Sequence, residues 1–151
     1  MSKKYLPKTL NINLKKTVLE ALNEALAEAI ILHQSGAKVL CVLNMPSTVD
    51  FQSEPLSRLR ELYPNMLVVI NSKLEFASNH LGFITSEARS KTEDHKLMGE
   101  LTHVVVGDIS QYVGSLSPMS YSARFKDLDV RFFSSAKVKE WHKYFIGVEY
   151  G

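Results

Sequence analysis

A single cysteine, Cys41, stands in this chain of 151 residues, which excludes an internal disulfide and makes a cytoplasmic location the simplest expectation. The five histidines, His33, His80, His95, His103 and His142, show no paired spacing and no cysteine partners, so no metal site is expected. Glycine is also scarce. With only seven in all, the sequence holds no G-x-G-x-x-G turn, no Walker-type phosphate loop and no G-x-S-x-G elbow, which argues against ordinary nucleotide-hydrolysing, dinucleotide-dependent and serine-hydrolase chemistry. No cofactor is expected. A run of about eighteen apolar residues is missing, so no membrane span is expected, and Met1 to Leu14 has no apolar core followed by a small-residue cleavage site.

A dominant charge is missing as well. Eighteen Lys and Arg stand against 16 Asp and Glu, a formal charge of +2, which is too weak a field for a dedicated nucleic-acid binder. The lysines at Lys3, Lys4, Lys8, Lys15 and Lys16 read as solvated surface. There is no internal repeat and no low-complexity tract.

What the chain does have is alternation between short apolar runs and helical patterns. Leu10, Ile12 and Leu14 alternate with polar residues, as in a half-buried strand. Thr17 and Glu20 then form a capping-box pattern. Val18, Leu22, Ala25, Leu26, Ala29, Ile30 and His33 recur at helical spacing to about Gln34, and Gly36 supplies the stop. Four further apolar runs begin near Lys38, Met66, Thr102 and Asp129, and continuous runs of this kind suit parallel strands buried on both faces.

Helices are predicted from Ser53 to Tyr63, from Leu74 to Leu81, after Gly107-Asp108 with an interruption at Ser117-Pro118, from Met119 to Lys126, and from Ser134 or Ser135 to Phe145, while the polar stretch from Ser86 to about Met98 reads either as an exposed helix or as a mobile excursion. Residues 1–151 therefore read as a single α/β domain, with a mostly parallel sheet of four to five strands and helices on both faces.

In such sheets ligands gather outside the carboxyl ends of the strands. That rim comprises Asn44, Met45, Ser47, Thr48, Asp50, Phe51 and Ser53 after one strand, Asn71 and Ser72 after another, Gly107, Asp108 and Ser110 after a third, and Ser134 and Ser135 after the last. The same residue types also make good loops and caps, and Asp108 in particular reads as a helix cap. A response-regulator receiver would need further acidic residues near its first strand, and Asn44 stands where its phosphoryl acceptor would be. Cys41, in the middle of VLCVL, reads as a small buried hydrophobe.

The closing segments VVVGDISQYV and LDVRFFSSAKVKEWHKYF, together with KVLCVLNMPSTVDFQSEPLSRLREL, resemble STAS-like (SpoIIAA-like) domains over roughly half the chain. The resemblance implies a small regulatory or ligand-binding α/β domain that acts through a partner without turnover. Family members carry an Asp-Ser-Ser-Gly segment whose serine is phosphorylated. Here the stretch reads Val49-Asp50-Phe51-Gln52-Ser53-Glu54-Pro55, without the serine doublet or its glycine, and Ser53 alone carries across.

Two functions follow. The first is a non-catalytic STAS-like module that binds a protein partner or a small apolar ligand at an exposed patch near Met45, Val49, Phe51 and Leu56. The alternative is a small doubly wound enzyme using Asn44, Asp50, Asn71 and Asp108, which requires those groups to converge on one pocket. A homodimer through an uncovered strand edge at Thr9 to Leu14 is a further expectation.

Overall fold

The computed structural model describes residues 9–44, 62–71, 99–111, 121, 125, 127–137 and 147–151. Their elements, in chain order, are β1 (Leu10–Leu14), α1 (Val18–Gln34), β2 (Val39–Asn44), β3 (Met66–Asn71), β4 (His103–Gly107), a short 3-10 turn (Ile109–Gln111), β5 (Asp129–Ser134) and β6 (Val148–Tyr150). The strands form one sheet in the order β3-β2-β4-β5-β1-β6, and every pair in it is parallel.

The α/β architecture is as the sequence pattern predicts, and the four apolar runs lie side by side in one sense. The strand count is a correction: the described residues form six, because β6 adds to the outer side of β1. Three residues, Val-Glu-Tyr, are too few for periodicity to register. This pairing also corrects the expected open edge at Thr9 to Leu14, since β1 lies between β5 and β6. The helices predicted in residues 74–98, 112–120 and 138–145, and all but the last residues of that from Ser53, lie outside the described residues.

Helix α1 begins where the capping pattern places it. The Oγ1 of Thr17 accepts the N–H of Glu20 at 3.0 Å. The helix ends in a Schellman arrangement: Gly36, at φ +99°, donates to the His33 carbonyl, and Ala37 donates to that of Leu32. That left-handed turn is why glycine follows the helix. No helix among the described residues is long and apolar enough to cross a membrane.

The sheet separates two apolar clusters. On one face, α1 packs Ala21, Leu22, Ala25, Ala29 and Leu32 against Val39, Cys41, Leu43, Val105 and Phe133. On the other, Leu40, Val42, Val104, Val106, Ile12 and Phe132 meet Tyr121 and Phe125, with the Tyr121 ring edge-on to Phe132. Successive residues of β2 and β4 alternate between these clusters, and all six residues of β2 are buried. Each fully buried aliphatic side chain contributes about 1.5–3 kcal/mol relative to exposure, so these central strands anchor the fold. Burial pushes the Cys41 thiol up to about 12, which leaves it a packing residue.

Two features of this fold position the site. First, β2 pairs with β3 on one side and β4 on the other, so the chain moves outward after β2 and then returns across it, reversing the strand order at the β2/β4 boundary. Second, α1 approaches the end of β4 closely: a Cβ on Gly107 would lie 2.7 Å from the Ala25 Cβ and 3.0 Å from the Ala21 carbonyl oxygen. Glycine at the end of β4 is therefore required by helix packing.

Candidate functional site at the carboxyl edge of the sheet

Where the strand order reverses, the parallel strands deliver Asn44, Asn71 and Gly107 to the same edge. Asn44 and Asn71 are register partners, as are Leu43 and Gly107. Asn44 is buried, and its carbonyl faces the Asp108 N–H at 3.5 Å. The Gly107-Asp108 peptide is cis.

Asp108 is the centre of the site. Its side chain is fully buried, yet it accepts hydrogen bonds from two backbone N–H groups and two hydroxyls. Oδ1 accepts from the Ser110 N–H at 3.1 Å and the Ser135 N–H at 2.9 Å. The Ser110 Oγ lies 2.9 Å from both carboxylate oxygens, and the Ser135 Oγ lies 2.5 Å from Oδ2. The two hydroxyl oxygens are themselves 2.9 Å apart. A buried carboxylate is costly unless it is hydrogen-bonded, and the N–H groups and hydroxyls of Ser110 and Ser135 are among its partners.

The bond to Ser110 fits the predicted cap, because it satisfies an N–H of the 3-10 turn. The bonds to Ser135 go further, since they tie the loop after β4 to the loop after β5. Next to them, the buried Ser134 hydroxyl donates to the Ala136 carbonyl at 2.6 Å, and the Lys15 N–H donates to the Ser134 carbonyl at 2.8 Å, joining the exit of β1 to that of β5.

With their protons directed at Asp108, the oxygens of Ser110 and Ser135 offer lone pairs to whatever approaches from outside. Both residues are only partly buried, whereas Asp108 is enclosed. The arrangement can therefore receive a hydrogen-bond donor at the rim.

Of the residues singled out in the sequence, Asn44, Asn71, Gly107 and Asp108 share this edge. Met45, Ser47, Thr48, Asp50, Phe51 and Ser53 lie outside the described residues, as do Val49 and Leu56 of the expected apolar patch, so the convergence of Asp50 with Asp108 is not part of the geometry above. The contact between Asp108 and Ser135 has a faint signal in the sequence, a Gly-Asp and a Ser-Ser each following an apolar run. Only the adjacency of β4 and β5 turns those two signals into one cluster. His33 and His103 take local roles: the His33 ring meets Tyr63 edge-on at 5.4 Å, and His103 Nδ1 lies 2.8 Å from Thr102 Oγ1.

Set beside family models, curated proteins and solved structures, the chain matches none of them.

Proposed function

We propose that this chain is a non-catalytic binding module of the STAS-like kind, which receives a protein partner or a small ligand at the carboxyl edge of its sheet without turning it over. One observation carries the reading: the buried Asp108 carboxylate accepts from Ser110 and Ser135, so it ties the loop after β4 to the loop after β5. The position of that cluster, beside the reversal of strand order, supports the edge as the place of contact. The sequence likeness adds to this, because the runs that carry it, VVVGD and LDVRFFSS, supply the two loops that Asp108 joins.

The test is to incubate the chain with a library of small hydroxyl- and amine-bearing compounds and with short peptides, following both its melting temperature and the mass of every compound. The expected result is a compound that raises the melting temperature and is recovered unchanged. At a hundredfold excess over its dissociation constant such a ligand stabilises the fold by about 2.7 kcal/mol. That gain shrinks in Ser135→Ala. Catalytic conversion of any compound, abolished in Asp108→Asn, would overturn the proposal in favour of an enzyme.

A further inference from the structure

The sheet holds its sixth strand differently from the other five. Each of β1 to β5 places at least two side chains in the buried core, whereas β6 places none: Val148 and Tyr150 are partly buried against the cluster and Glu149 is exposed. The segment pairs with β1 along a parallel ladder in which Leu10, Asn11 and Ile12 face Val148, Glu149 and Tyr150, and further backbone bonds flank that ladder. They run from the Leu10 N–H to the Gly147 carbonyl at 2.8 Å, from the Leu14 N–H to the Gly151 carbonyl at 2.9 Å, and from the Gly151 N–H to the Ile12 carbonyl at 2.7 Å. The Lys137 ammonium, 5.1 Å from the centroid of the Tyr150 ring, adds an exposed cation–π contact. On the other side of it, β1 buries Leu10 and Ile12 and is paired with β5.

We infer that the outer edge of β1 is a strand-acceptor site that the chain's own segment Gly147–Gly151 keeps filled, and that an extended peptide with an aliphatic residue and, two positions later, an aromatic one takes its place. Releasing the segment breaks the backbone bonds of one short strand pairing and uncovers two partly buried side chains while leaving both core clusters assembled, so it opens far more readily than the sheet as a whole. What it uncovers is specific. The N–H groups of Leu10 and Leu14 and the carbonyl of Ile12 form a parallel ladder edge, flanked by the places occupied by Val148 and Tyr150. Main-chain bonds supply affinity and the alternate side chains supply choice, as in other strand-addition sites. An incoming strand makes the same backbone bonds as the resident segment only in the same register and direction, and its aromatic ring then lies beside Lys137.

Hydrogen exchange on the full chain, together with a fluorescently tagged peptide of sequence Gly-Val-Glu-Tyr-Gly, tests the inference. The amides of Leu10 and Leu14 are expected to exchange about a hundredfold or more faster than those of Val104 to Val106. Tyr150→Ala, which loosens the resident strand, is expected to bind the tagged peptide at least about tenfold more tightly than the natural chain, and to bind a Gly-Val-Glu-Ser-Gly control less well. Protection of Val104 to Val106 in the variant reports an intact sheet. Lys137→Ala, an exposed change that weakens the ring contact, is the second variant should the first fail to fold. Three results would each overturn the inference: Leu10 and Leu14 amides as slow as Val104, fast exchange without peptide capture by the loosened variant, or a dimer in which those amides stay protected because a second copy supplies the strand.

Discussion

The two ends of the same parallel strands handle charge in opposite ways. At the carboxyl end, the Asp108 carboxylate is fully buried and is met by backbone N–H groups and serine hydroxyls. Toward the amino end, charges stay near solvent and meet opposite charges. Lys38 reaches Glu100 at 2.5 Å, and Arg131 grips both oxygens of Asp129 at 3.1 and 3.2 Å while touching Glu28 of α1 at 3.1 Å. The hydrogen bond to Asp129 is the main influence raising the Arg131 pKa. Exposed pairs of this kind contribute about 0–1 kcal/mol because water already solvates both partners. The buried Asp108 carboxylate has no such alternative, and removing it takes the acceptor from the Ser110 and Ser135 N–H groups. The comparison assigns rigidity to the carboxyl edge and tolerance to the amino end.

Replacement of the carboxylate should break this contrast most strongly. Asp108→Ala takes the acceptor from two backbone N–H groups and breaks the link between the two loops, and urea denaturation should show a loss of about 3–5 kcal/mol. Asp108→Asn, which keeps one acceptor oxygen for the two N–H groups, should lose less, about 1–2 kcal/mol. If the two substitutions cost the same, the contacts to Ser110 and Ser135 are not what holds the edge.

Next in size is Gly107→Ala. The new methyl would meet the Ala25 Cβ at 2.7 Å, and neither that atom nor the Ala21 carbonyl belongs to a flexible side-chain end, so α1 must shift. A cost of about 1–3 kcal/mol in thermal or urea unfolding is expected, as for other overpacked cores. An unchanged stability would mean that the helix is not pressed against β4.

The smallest effect belongs to the amino end. Arg131→Ala should cost about 1 kcal/mol or less, and the cost should shrink further in 1 M salt, where exposed charges are screened. A loss as large as that of Asp108→Ala would erase the distinction between the two ends.

Legibility in the sequence follows range. The α1 cap and stop were readable because Thr17, Glu20 and Gly36 act within a few residues of themselves. The four central strands were readable because strands buried on both faces must be apolar throughout. The rim residues Asn44, Asn71, Gly107 and Asp108 were readable as strand ends. Strand β6 was not, since three residues of mixed polarity carry no period, and its place beside β1 depends on a partner more than a hundred residues away. The choice between loop-making and site-forming roles for Asp108 was equally out of reach, because Ser135 is 27 residues distant along the chain and adjacent only in the sheet.

By itself, then, the sequence determined the α/β class, the central strands and the long amphipathic helix, because periodicity and capping act locally. The tertiary structure alone decided the strand order, the closing of β1 by β6 and the joining of Asp108 to Ser135, because each of these depends on which distant segments share hydrogen bonds across the sheet.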